Sequence, residues 1–327
     1  MKAFNLKKIL SVLAIATFAL SVSGCAQQSP EQAAIAMFDS LPHQCDPIKD
    51  GAAAQSIKVT GSSGVPVVSF TPKLVPSEPQ MHLLKAGDGP TFTGNQLATF
   101  EIEAVDTETV KPFPTSTGLV TNFDGTNPIT TLLANGQDTQ VSLCDALTGV
   151  RVGSRIAAIY PINPAAGSSK KTSVVLIVDL KNVFLPHATG SNQPAVSGIP
   201  FAVHVSSGEP GITFPSNQAA PKEFKEYTSI KGAGEVVKKG DKIKAHYKLF
   251  LWDANHTMIE KSWGSTPLDI TVGTGTIEGF SKALEGQTVG SQVVAVIPPA
   301  LGYGDKVNQA IPANSTLVFV IDILGKF

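Results

Sequence analysis

The chain has 327 residues, with 25 Lys plus Arg against 26 Asp plus Glu, 16% charged and 42% hydrophobic. The near-neutral balance excludes a generic basic nucleic-acid binder and an acidic disordered chain, while the apolar fraction is enough for packed cores. Setting aside a 24-residue leader, the length suits two folded units, and 29 glycines with 23 prolines among many Val, Ile and Thr lean toward β structure rich in turns.

Lys2, Lys7 and Lys8 precede an uncharged, mostly apolar run of 14 residues from Ile9 to Val22. A spanning helix needs roughly 20 residues, so this run reads as the core of a secretory signal. It ends in Val22-Ser23-Gly24-Cys25, which resembles a bacterial lipobox. The resemblance implies cleavage before Cys25 and a diacylglycerol, with palmitate-class chains, on its sulfur. The protein would then sit on the extracytoplasmic face of the cell membrane, held by a lipid anchor and a tether over 25–50. Each buried methylene of such an anchor contributes about 0.8 kcal/mol. The alternative is an ordinary signal peptide with an incidental cysteine.

With Cys25 acylated, Cys45 and Cys144 are left as an even pair in an oxidising compartment, 99 residues apart. A bridge between them would contribute up to about 4.7 kcal/mol in chain-entropy models; two unconnected buried thiols are the alternative. No Cys-x-x-Cys occurs, so thiol exchange is not expected.

Two segments repeat. Ala146-Leu-Thr-Gly149 with Val152-Gly153-Ser154 parallels Ala283-Leu-Glu-Gly286 with Val289-Gly290-Ser291, at an offset of 137. Ser173 to Asp179 parallels Thr316 to Asp322 at an offset of 143, so the first copy has six fewer residues between these stretches. Gly64-Val65-Pro66 and Gly198-Ile199-Pro200 correspond loosely. Repeats this long imply duplicated domains.

The expected division is a signal peptide over 1–24, the tether over 25–50, a first domain over 51–186, a Gly/Ser/Pro-rich connector over 187–220 and a second domain over 221–327. Phe201–Val205 and Ile212–Phe214 are short strand candidates inside the connector. Further on, Lys242–Leu251 alternates polar and apolar residues as a half-buried strand does, and strands are expected over Leu268–Val272, Gln292–Ile297 and Thr316–Leu324. One short helix fits around Gly279–Glu285, with Gly286 just past its end. The fold class expected is α+β, an antiparallel sheet with one short helix packed on it in each domain.

Lys239-Gly240-Asp241, Ala245-His246-Tyr247, Pro267-Leu268, Val272-Gly273, Ile277-Glu278-Gly279-Phe280 and Val289-Gly290 follow one another in a specific order. Pro298-Pro299-Ala300-Leu301-Gly302-Tyr303-Gly304, Ile311-Pro312-Ala313 and Thr316-Leu317-Val318-Phe319 continue it. This order resembles the FKBP-type peptidyl-prolyl isomerases over nearly all of 222–327, and the first repeat resembles a diverged, degenerate copy. The resemblance implies a sheet wrapped on a short helix with an apolar pocket between them. Tyr247, Glu260, Phe280, Tyr303 and Phe319 would act there, with Ile259, Leu268, Ile277 and Ile311 binding substrate. Three positions depart from the family pattern, because Ile259-Glu260 stands where Phe-Asp is usual and Phe280 where Trp is usual.

The implied reaction is rotation about X-Pro bonds of exported polypeptides, needing no cofactor, no metal and no nucleic acid. Phe280, Phe319 and Tyr247 also suit plain core packing and Glu260 a surface charge, while Tyr303 between two glycines is harder to read as core; the alternative function is a non-catalytic chaperone or adhesion module that grips proline segments. The glycines of Gly273-Thr-Gly275-Thr-Ile-Glu-Gly279 are mis-spaced for a dinucleotide loop, and no zinc-type His spacing or G-x-S-x-G elbow occurs.

The anchoring expectation is testable directly. Cys25→Ser should leave the protein unlipidated and washable from membranes; a variant that fractionates with membranes like the parent contradicts it.

Overall fold

Nearly continuous apolar runs such as Val174–Val178 and Val293–Ile297 form the central strands of two antiparallel sheets and are buried on both faces. The computed structural model describes residues 45–61, 66–113, 123, 128–133, 141–163, 170–203, 205 and 208–327. By its contacts the chain divides into 1–41 and 42–327, and every described residue lies in the second part. Cys25 and the leader lie outside the described residues.

The first half contains α1 (Ala52–Gln55), β1 (Lys58–Thr60), β2 (Val67–Ser69), β3 (Gln80–Lys85), β4 (Gln96–Asp106), β5 (Lys111–Pro112) and β6 (Ile129–Leu133). These are followed by α2 (Leu143–Leu147), β7 (Arg155–Ile162) and β8 (Thr172–Val183). After them come β9 (Ser191–Asn192), β10 (Phe201–Val203), β11 (Gly211–Thr213), β12 (Lys225–Lys231), β13 (Lys242–Leu251), β14 (Met258–Lys261) and β15 (Leu268–Thr271). The chain closes with α3 (Glu278–Leu284), β16 (Gln292–Ile297) and β17 (Leu317–Lys326).

The first sheet runs β3-β7-β8-β4-β5, with β6 also on β4. The second runs β14-β13-β17-β16-β12-β9, with β15 also on β13. The order β3-β7-β8-β4 thus recurs as β12-β16-β17-β13. The registers agree as well: Arg155 faces Asp179 across β7 and β8 as Gln292 faces Asp322 across β16 and β17. The result is a sheet-rich antiparallel fold with few, short helices.

Each sheet carries a helix on one face and a small hairpin on the other. In the first, Ala98, Phe100, Ala158 and Leu176 pack with Leu147 beneath α2, while Ala157, Ile159, Val175 and Ile177 pack against α1 and the β1–β2 hairpin. In the second, Leu249, Ala295, Phe319 and Ile321 pack beneath α3, while Val294, Val296, Val318 and Val320 pack against Ile199, Ala202, Ile212 and Phe214 of the β10–β11 hairpin. Gly279 lets α3 sit this close, since a Cβ there would collide with the Ile297 side chain.

Two expected boundaries are corrected. Residues 45–50 are not tether: Asp46 N–H donates to Asp145 Oδ1 at 2.9 Å, Ile48 N–H to the Asp145 carbonyl, and Met81 N–H to the Lys49 carbonyl. The structure joins Cys45 to Cys144 in a disulfide with Cα atoms 5.6 Å apart, which fixes this entry segment on α2. Nor is 187–220 a free connector, because a β-sheet with two apolar faces needs a cover on each. The segment supplies β9 to the sheet edge and the β10–β11 hairpin to its outer face. The first half also has a second helix, α1, beyond the single one expected.

The halves meet where β8 runs onto the end of β17. Leu185 N–H donates to the Leu324 carbonyl and Asn182 Nδ2 to the Lys326 carbonyl. Phe184 meets Phe327 edge-on at 6.1 Å, and the Lys244 ammonium lies 5.4 Å and 5.1 Å from their ring centres while pairing with Asp269.

The repeated aspartate has diverged in its partners. Burial alone would raise Asp179, but a bidentate pair to Arg155 (2.6 and 2.9 Å) holds it below its usual range. Asp322 has no such cation. Its carboxylate accepts from Ala188 N–H (2.8 Å) and Gln292 Nε2 (2.7 Å), and burial outweighs these bonds and His187, pushing it up to about 6. The folded state therefore holds its proton more tightly than the unfolded chain. The contribution is complete below about pH 4 and lost as pH rises through about 6. Asp322→Asn, measured by chemical denaturation from pH 4 to 7, should gain stability relative to the parent as pH rises; a difference independent of pH contradicts this.

Candidate active site

The space between α3 and the concave face of the second sheet is walled by three rings. Tyr247 comes from β13, Phe280 from α3 and Phe319 from β17, each almost wholly buried. Phe280 and Phe319 meet edge-on at 5.0 Å, Tyr247 and Phe280 edge-on at 6.2 Å, and Tyr247 and Phe319 lie 6.2 Å apart. Alternation along β13 and β17 aims Tyr247, Leu249 and Phe319 to this face, and the mutual geometry suits aromatic quadrupoles.

The turn before α3 presents Phe280. Gly275 takes a φ of +75°, Gly273 N–H donates to Ser281 Oγ at 3.0 Å, and Thr276 Oγ1 bonds the same hydroxyl at 2.9 Å. Ile277, the residue capping the helix start, is half-buried against the rings. From the opposite side comes the long loop between β16 and β17. It opens with a 3-10 turn over Pro299–Leu301 and is tied by Gly304 N–H to the Pro299 carbonyl and Asn314 N–H to the Gly304 carbonyl. A tight turn at Asn308–Ile311 drives Ile311 into the core, while Tyr303 stays half-buried at the mouth.

Glu260 is exposed at the end of β14, with its carboxylate close enough to act on the Tyr247 phenol. Burial, then Glu260, then the nearby Tyr303 phenol hold the Tyr247 phenol well above its ordinary range. The tyrosine therefore stays protonated, with its hydroxyl committed at the rim.

The structure thus brings together Tyr247, Glu260, Phe280, Tyr303, Phe319, Ile259, Ile277 and Ile311. Leu268 is the exception. It shares a face of β15 with buried Ile270 but stands at the strand's first position, 39% exposed and outside the apolar cluster. Sequence reasoning passed over Ser262 and His246, which hold Tyr247 from behind. Their only trace in the chain is a serine and a histidine flanking the strand turn. An open cleft of about 940 Å³ lies between 211–220 and Trp252–His256, beside the packed Phe214, and belongs to the hairpin cover of the opposite face.

The first sheet lacks these rings. By register Ile102 stands at the place of Tyr247, Leu176 at that of Phe319, and by helix offset Leu143 at that of Phe280. Tyr160, at the place of Ile297, is wholly buried and donates its hydroxyl to the Ser142 carbonyl, filling space beneath α2. The six-residue shortening falls in a loop that includes 164–169, outside the described residues.

A short helix thus packs on the inner face of an antiparallel sheet, with three rings and several aliphatic side chains between them and Glu260 exposed nearby. The family described as FKBP-type peptidyl-prolyl cis-trans isomerase matches residues 234–324. FK506-binding protein 1 of Aspergillus oryzae is 34% identical over 104 residues, 29% of this chain and 90% of that relative. FK506-binding protein 2 of Podospora anserina is 38% identical over 92 residues, 28% of this chain and 49% of that relative. The crystal structure of FkpA from Escherichia coli shares 28% identity over 40% of this chain and 52% of its own, with a TM-score of 0.30. The chain belongs to the FKBP-type peptidyl-prolyl cis-trans isomerase family.

The rings differ from the mouth in what they support. Phe319→Ala should lower the unfolding free energy by about 3–5 kcal/mol, as truncation of a buried Phe does, and abolish isomerase activity. Tyr303→Phe removes one hydroxyl at the mouth and should reduce activity while leaving the denaturation midpoint in place. Equal stability of Phe319→Ala and parent, or full activity of Tyr303→Phe, contradicts this assignment.

Proposed function

We propose that the second half of the chain isomerises X-Pro bonds of exported polypeptides, with the prolyl ring held among Tyr247, Phe280 and Phe319. The observation that carries this reading is the edge-on contact of these rings beneath α3, which gathers three aromatic faces into one apolar cluster with Ile277 and Tyr303 half-buried beside it. Rotation must overcome an amide barrier of about 18–20 kcal/mol. A dry recess withdraws solvent hydrogen bonds from the amide carbonyl and so favours the twisted, less polar amide over the planar one. Ile277, Ile311 and Ile259 exclude water around the ring. Glu260 beside Tyr247 keeps its phenol protonated as part of the wall, and Tyr303 would offer its hydroxyl to a substrate carbonyl.

The fold of the first half supports reading it as a diverged copy of the second, with strand order and register repeated and the three rings replaced by Ile102, Leu143 and Leu176. It would be catalytically silent and serve as a structural or client-binding body. The lipobox-like Cys25 supports a lipid anchor on the extracytoplasmic face, and the disulfide fits an oxidising compartment.

A protease-coupled proline isomerisation assay tests where activity lies. The fragment should begin at 186, because starting at 222 would strip the hairpin from Val294, Val296, Val318 and Val320. Fragment 186–327 is expected to retain the activity of the full chain, and 31–184 to show only the uncatalysed rate. Acceleration by 31–184 contradicts the assignment, and proline-peptide binding by 186–327 without acceleration would favour the non-catalytic module.

A further inference from the structure

β13 changes its edge partner in mid-strand. Lys242–Ala245 pairs with β15, Lys248–Phe250 pairs with β14, and the two residues between them, His246 and Tyr247, face the chain as it leaves β14. A ladder interrupted there would leave the Tyr247 N–H without a strand partner inside the protein, at a cost of about 1–3 kcal/mol. The Ser262 side chain supplies the partner instead. Its Oγ accepts from Tyr247 N–H at 2.9 Å, while Ser262 N–H donates to the Tyr247 carbonyl at 3.0 Å.

Ser262 is itself held. His246 Nδ1 lies 2.9 Å from Ser262 Oγ, nearer than the Tyr247 carbonyl at 3.5 Å, so the hydroxyl proton goes to the imidazole and Nε2 carries the ring proton. Trp263 stacks on the His246 ring at 4.5 Å. Burial, opposed by Glu209, lowers His246 to about 4 and keeps it the neutral acceptor this arrangement needs. Glu260, whose carboxylate acts on the Tyr247 phenol, is two residues before Ser262. The backbone of Tyr247 is therefore held by Ser262, in the same short stretch, 259–263, that places Glu260 beside its phenol.

We propose that Ser262, seated by His246, is a positioning residue that fixes Tyr247 and Glu260 as one wall of the recess. The proposal rests on the isomerase reading for its activity arm and on the structure alone for its spectroscopic arm. Without the Ser262 hydroxyl the gap in the ladder admits water, Glu260 and Tyr247 separate, and the phenol loses both burial and its partner.

The test compares Ser262→Ala and Ser262→Thr in the full chain. Ultraviolet titration of the tyrosines, with Tyr247→Phe identifying the Tyr247 component, should move that component toward the ordinary phenol range in Ser262→Ala and restore it in Ser262→Thr. kcat/KM on a short proline peptide should fall about tenfold in Ser262→Ala, recover in Ser262→Thr, and show no further fall when Ser262→Ala is added to Tyr247→Phe. An unmoved Tyr247 titration, or an undiminished effect of Ser262→Ala in the Tyr247→Phe background, overturns the proposal. A parent chain without isomerase activity contradicts the isomerase reading, and the titration still decides the positioning role.

Discussion

A strand buried on both faces needs a cover on both, and the second half of this chain is arranged around that requirement at β17. Leu317 to Gly325 are all buried, the odd-numbered side chains through Ile323 beneath α3 and Val318 and Val320 against the β10–β11 hairpin. At about 25 cal/mol per Å² of apolar surface removed from water, such a double-sided strand is the strongest hydrophobic element a sheet can hold. The helix that covers the inner face brings Phe280 onto Phe319, and Ile311 and half-buried Tyr303 from the β16–β17 loop pack beside them. The candidate site is thus the apolar cluster between β17 and its inner cover.

The same constraint explains why the halves do not separate. The segment that leaves the first sheet becomes the outer cover of the second, and Asp322, at the heart of β17, accepts from the Ala188 N–H at the start of that segment. Phe184 fills the space beside Gly325, where a Cβ would collide with its ring. A buried aspartate without a cation is costly, yet here it ties a linker to a core strand. Asp179, its counterpart in the first sheet, holds Arg155 instead and ties no linker.

Much of the second half was legible because its physics is local. Lys242–Leu251, by its alternation, and Gln292–Ile297, by its apolar run, form strands with the expected bounds, and the helix lies one residue earlier than expected. Duplication was legible because Asp179 and Asp322 sit at matching positions in apolar runs. The two strands of the cover were legible as candidates at Phe201–Val205 and Ile212–Phe214, but their role was not, because in a Gly/Ser/Pro-rich stretch only the sheet they protect gives them a place. Leu268 stands exposed at the first position of β15, outside the packed cluster, which a family position alone does not tell. Ser262 and His246 were missed because the need they answer, an N–H left by a change of edge partner, exists only once β14 and β15 are laid beside β13.

The central claim is that the second recess, and not its counterpart in the first half, grips a prolyl residue. Amide chemical-shift mapping of the full chain with a short proline peptide tests it most directly. The account predicts perturbations centred on Tyr247, Phe280, Ile311 and Phe319, with the amides of Ile102, Leu143 and Leu176 unmoved. Perturbations centred on the first sheet, or none at saturating peptide, would contradict it.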